Sequence, residues 1–123
     1  MYLYCYNVFD FIEYPYFINP PALLSAKYDT IEIQLTFQEN NIKYGNKIMN
    51  LKYYQLFYKS LIENTFKSFE IKSISDTNNI TTEIISNLEP DTKYIVGVLL
   101  ITNDGNFNDQ DVVYGQYKTP CIR

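Results

Sequence analysis

Lys93-Tyr94-Ile95-Val96-Gly97-Val98-Leu99-Leu100-Ile101-Thr102 is the stretch on which the fold turns. β-branched residues crowd it, and Tyr94, Val96, Val98 and Leu100 keep a period of two. That spacing puts alternate side chains on one face of a strand. A strand so apolar on both faces is expected at the centre of its sheet. The residues after it, 103–111, are polar: Asp104, Gly105, Asn106, Phe107, Asn108 and Asp109 fall there. Gly105 permits a positive φ, so the segment reads as an exposed loop.

Outward from this strand the chain alternates between short β-patterns and turns. Residues 30–37 place Ile31, Ile33, Leu35 and Phe37 on one face and polar groups on the other. Residues 38–50, rich in Asn and Lys, read as a loop; 51–59 form a strand in which Tyr54, Leu56 and Tyr58 share a face. A third pattern spans 66–74, with Phe69 and Ile71 on one side, and a turn follows through 75–79. Residues 81–85 resume β-type residues, and 112–119 form the last strand. Nowhere does a 3.6-residue period persist long enough for a helix. Short strands separated by turn signals favour an all-β antiparallel sandwich over any βαβ arrangement.

A chain of 123 residues, 46% hydrophobic and 20% charged, suits one foldable domain. Tyr 13, Phe 8 and Trp 0 mean that rings must fill the core and still leave some on the surface. With a net charge of -4 and no run of Lys or Arg, a nucleic-acid partner is not expected. No stretch is long and apolar enough to enter a membrane as a span. Residues 1–18 form a dense aromatic tract ending before Pro20-Pro21; Asp10 and Glu13 interrupt it, so it does not read as a secretory signal. The tract is either an N-terminal extension or the tail of a preceding domain, and 19–123 form the domain proper. Without His, neither a zinc site nor a Cys/His nucleophile assembles, and no cofactor is expected. Cys5 and Cys121 lie near the two ends; a disulfide between them, two unpaired thiols and links to neighbouring domains all remain open.

Leu88-Glu89-Pro90-Asp91-Thr92-Lys93-Tyr94-Ile95-Val96-Gly97-Val98 resembles the signature that leads into the sixth strand of fibronectin type III domains. The resemblance implies a tyrosine corner built on Leu88, Pro90, Thr92 and Tyr94: a bend at Pro90-Asp91, with the Tyr94 ring capping the core and its hydroxyl bonded to backbone just upstream. Pro20-Pro21, residues 30–37, the run from Leu51 to Tyr58 and Tyr117-Lys118-Thr119-Pro120 are similar, in order, to the prolines before the first strand and to the second, third and last strands of that family. The implied fold is a seven-stranded immunoglobulin-like sandwich. The family's buried Trp is missing, so Phe37 or Leu35 must take that volume.

If Tyr54, Leu56 and Tyr58 point inward, period two turns Tyr53, Phe57, Ile95, Leu99, Ile101 and Tyr114 onto the outer face of one sheet. Such a face is too apolar for open water. Either the 1–18 tract covers it as a second core, or it docks another protein or an adjacent domain. The 103–111 loop corresponds to the family's F–G loop, an adhesive contact in some members; its spacing fails the EF-hand rule, and a solvated turn is expected instead. Asn79-Ile80-Thr81 is an N-glycosylation triplet on a turn. Glu32, Glu39, Glu70 and Glu83 form no acid/base spacing and read as solvated strand faces, so no enzyme is expected. The family resemblance implies a protein-binding and spacer module of an extracellular or cell-surface multidomain protein. An intracellular scaffold domain accessory to an enzyme is the alternative.

Overall fold

The computed structural model describes residues 14–43, 51–75 and 79–122. Its strands, in chain order, are β1 (Tyr16–Phe17), β2 (Ala22–Lys27), β3 (Thr30–Thr36), β4 (Ile42–Lys43), β5 (Leu51–Ser60), β6 (Lys67–Ser68), β7 (Lys72–Ser73), β8 (Ile80–Ile85), β9 (Lys93–Thr102) and β10 (Gly115–Lys118). All pairings among them are antiparallel. One sheet runs β2-β3-β8; the other runs β10-β9-β5-β6, with β7 also on β5; β1 and β4 make a separate ribbon. Among the described residues stand ten strand segments, with the β1–β4 ribbon beside the two sheets and the 66–74 region split in two.

The split has a local cause. Phe57 faces Ser68, yet Tyr53, four residues back, faces Ser73, five residues on. One residue is therefore extra on the 66–74 side, the signature of a β-bulge. The Gln55 carboxamide fills part of the gap by donating to the Phe69 carbonyl at 3.0 Å. Ile71, which the pattern placed with Phe69, is instead 56% exposed, while Phe69 packs edge-on against Tyr58. The last strand is likewise shorter than the expected 112–119, starting only at Gly115.

Between the sheets lie Ile31, Ile33 and Leu35 of β3, Ile85 of β8, Tyr54 and Leu56 of β5, and Tyr94, Val96, Val98 and Leu100 of β9. The period-two reading of β3, β5 and β9 holds on this inner face. Burying each such aliphatic side chain contributes about 1.5–3 kcal/mol. Phe37 is buried among other rings: its ring centroid lies 5.5 Å from Phe17 and 5.2 Å from Tyr54. The end of the 1–18 tract is thus built into the core through Phe17, and Ile42, inside the expected 38–50 loop, is buried there as well. Asn41 ties these pieces together. Its carbonyl accepts from Ile18 N at 2.9 Å, and its side chain donates to the Thr36 carbonyl at 3.0 Å. Residues 1–13, and with them the rest of the tract, lie outside the described residues.

The tyrosine corner is present. The Tyr94 ring is buried, and its hydroxyl accepts from Glu89 N at 2.8 Å. Asn87 and Asp91 take positive φ values of 61° and 51°, turning the chain sharply on both sides of Pro90. Thr92 Oγ1 donates to the Pro90 carbonyl at 2.8 Å, and Leu88 closes the core from above. Thr119 fastens the corner to the chain beyond β10: its hydroxyl donates to the Glu89 carbonyl at 2.6 Å and accepts from Thr92 N at 3.1 Å. A second tie joins the sheets at their open side, where the Tyr117 hydroxyl donates to the Pro21 carbonyl. Its ring lies over Gly115, where any Cβ would collide with it. Burial pushes the Tyr117 phenol up to about 12.

Candidate protein-binding face

The outer face of the β5-β9-β10 sheet forms a grid of cross-strand rows. Lys59 pairs with Ile95, and Ile95 with Gln116; Phe57 pairs with Gly97; Gln55 with Leu99; Tyr53 with Ile101. Tyr53, Phe57, Ile95 and Leu99 are half-buried, and Tyr114 is exposed, so the expected face exists. Ile101 is the correction. It is only 7% exposed, because β9 there is flanked by Tyr53 of β5 on one side and by a bridge to Phe107 on the other.

Three rings make the centre of this face. Phe57 meets Phe66 edge-on at 5.1 Å and Tyr114 edge-on at 5.8 Å, while Phe66 and Tyr114 stack at 5.6 Å. Both arrangements are favoured by the ring quadrupoles. The sequence pattern puts Phe66 in the 66–74 strand and not on this face, whereas the chain delivers it from the turn between β5 and β6. Lys59 Nζ lies 5.3 Å from the Phe66 centroid and donates to the Glu63 carbonyl at 3.0 Å. Among the described residues no carboxylate pairs with it.

Gly97 explains how the rings settle. A glycine in mid-strand is intrinsically unfavourable by roughly 0.5–1 kcal/mol, yet a Cβ there would stand 2.8 Å from both Phe57 Cζ and Tyr114 Cε1. The rings occupy the space of the missing side chain. Gly97→Val is therefore expected to cost about 1–3 kcal/mol through overpacking and to collapse the ring-current shifts of Phe57 and Tyr114. Urea unfolding and proton NMR read the two effects; a variant as stable as the parent, with unchanged ring shifts, contradicts the seating of the rings on β9.

The 103–111 loop begins as a tight turn. Thr102 N donates to the Asn106 carbonyl at 2.9 Å, Gly105 N donates to the Thr102 carbonyl at 3.0 Å, and Gly105 has φ 88°. The Thr102 hydroxyl donates to Asp104, which holds that carboxyl below its ordinary value. Asn108 Oδ1 accepts from Gln110 N and Asp111 N, and its amide donates to the Asp111 carboxylate, so its side chain is spent on the turn. Phe107 is 45% exposed, and Asp109 is exposed.

Glu83 does not lie on a solvated face. It is 4% exposed, accepting from the Tyr54 hydroxyl at 2.5 Å and from Lys72 Nζ at 2.9 Å. Burial first, then the bond and charge of Glu83, hold the Tyr54 phenol well above its ordinary value. The carboxylate thereby links β8, at the edge of one sheet, to β5 and β7 of the other. Sequence spacing gave no hint of this, since its partners come from two other strands. Asn79 is exposed, Cys121 is exposed with a free thiol, and Cys5 lies outside the described residues.

No protein-family model and no curated protein matches the chain. Solved structures do. The fn3 domain of the human collagen alpha-1(XX) chain superposes with a TM-score of 0.56 at 23% identity, covering 85% of this chain and 88% of that one. A computationally redesigned β-sandwich protein gives 0.55 at 14% identity, covering 86% of this chain and 99% of that chain. A myokine structure gives 0.50 at 14% identity, covering 83% and 97%. With its two sheets, its β9 and its tyrosine corner, the chain has a fibronectin type III-like fold.

Proposed function

We propose that this chain is a non-catalytic protein-binding and spacer module of an extracellular or cell-surface multidomain protein, presenting the outer face of β5-β9-β10 to another protein or an adjacent domain. The observation that carries this reading is the ring cluster: Phe66 and Tyr114 stack in the open, 37% and 39% exposed, on a floor of Phe57 and Gly97. Large rings held rigidly bring contact area at small entropic cost, which is why aromatic residues are enriched at interfaces and their hot spots. Lys59 at the rim adds a cation that a carboxylate of the partner would satisfy. The non-catalytic part of the reading is supported by an interior filled with side chains and by the engagement of Glu83 with Tyr54 and Lys72. A fold of this kind suits binding or spacing, although fold alone never fixes function.

Site-specific photocrosslinking tests the reading. A benzophenone side chain at position 66 or 114 of the parent protein is expected to give a discrete adduct, whereas the same group at exposed Thr82, on the other sheet, gives none. Equal crosslinking from all three positions, or adducts from 82 alone, contradicts the assignment of the face.

A further inference from the structure

β8 is an open edge. Among the described strands it pairs with β3 alone. Its alternate residues Ile80 and Ile84 are 43% and 53% exposed. An edge strand with apolar side chains offers itself for pairing with another chain, and folded proteins block such edges by several devices. Inward-pointing Glu83, in the second half of the strand, is one of them.

Asn79 stands at the head of β8. Its backbone is fixed by donation from Phe37 N to its carbonyl at 2.6 Å, while no described residue holds its exposed carboxamide. Asn79-Ile80-Thr81 is also the one Asn-X-Ser/Thr triplet in the chain. We propose that Asn79 is N-glycosylated and that its glycan guards the open edge of β8. In that transfer Nδ2 of Asn79 attacks the anomeric carbon of a polyprenyl diphosphate-linked oligosaccharide. The carbon–nitrogen bond forms, the carbon–oxygen bond to diphosphate breaks with its electron pair, and Nδ2 gives up one proton. The hydroxyl at Thr81 completes the acceptor triplet. β8 belongs to the sheet opposite β5-β9-β10, so a glycan there leaves the Phe57–Phe66–Tyr114 cluster uncovered.

The glycan rests on the extracellular placement proposed above, and the experiment separates the two. The full chain is secreted from eukaryotic cells behind an added signal and its intact mass is measured. One glycan is expected, removable by peptide N-glycosidase with conversion of residue 79 to Asp. It is lost in Asn79→Gln and in Thr81→Ala and kept in Thr81→Ser. A Glu89→Thr chain, which completes a triplet at exposed Asn87, shows that the cells process this protein. Modification at Asn87 with none at Asn79 overturns the site. Modification of the secreted chain but not of the parent protein from its own cells overturns the extracellular placement and, with it, the glycan in life. For the guarding role, light scattering should show secreted Asn79→Gln chain self-associating at concentrations where the glycosylated chain is monomeric; equal behaviour overturns that role.

Discussion

Tyr94→Ala is expected to lower the unfolding free energy by about 3–5 kcal/mol, the range for removing a large buried ring. Tyr94→Phe should cost only about 1 kcal/mol, the net worth of one hydrogen bond. The difference between the two separates the roles of the residue. Its ring fills the end of the core beside Tyr58, with centroids 6.5 Å apart, whereas its hydroxyl serves one backbone N–H, that of Glu89. Urea unfolding measures both losses. Near-equal values for Ala and Phe would mean that the corner is held by its hydroxyl and that the ring does not close the core.

The second large effect concerns Glu83. Lys72→Met takes away the cation beside a carboxylate that is 4% exposed and leaves only the Tyr54 hydroxyl to satisfy it. Breaking a fully buried ion pair costs about 3–5 kcal/mol. Lys72 is 46% exposed, so water screens part of the interaction, and a loss of about 1–3 kcal/mol at pH 7 is expected. A Lys72→Met, Glu83→Leu, Tyr54→Phe triple variant should regain most of the loss, because apolar side chains of similar volume replace the buried charges and no hydroxyl is left without its acceptor. Urea denaturation supplies the check, and a Lys72→Met chain as stable as the unsubstituted one contradicts the ion pair.

What was legible in the sequence is what local periodicity and turn chemistry dictate. β3 and β9 alternate so regularly that their inner faces follow from spacing alone, and the Leu88-to-Tyr94 run carries the corner in consecutive residues. What escaped depends on contacts between distant segments. Glu83 looks like an ordinary strand-face carboxylate until the fold brings Tyr54 and Lys72 to it from the opposite sheet. Ile101 has outward parity yet is buried, because parity says nothing of what lies alongside a strand. Phe66 opens the 66–74 pattern in which Phe69 and Ile71 alternate with polar residues, so local spacing places it in a strand. The one-residue bulge that splits β6 from β7 arises from pairing with β5, which no local pattern encodes. The ring cluster is half legible: parity finds Phe57 and Tyr114, while their seating on bare Gly97 backbone is a tertiary fact.

Native-state amide hydrogen exchange on β9 bears most directly on the account. Tyr94, Ile95 and Val96 have β5 on one side and β10 on the other, and Tyr94 and Val96 are sealed in the core, so the amides of these three residues should open only when the whole domain unfolds. Their exchange free energies should then equal the global value from urea. Exchange at these positions as fast as in residues 103–111 would show that β9 is not the enclosed strand on which both the sandwich and its proposed binding face are built.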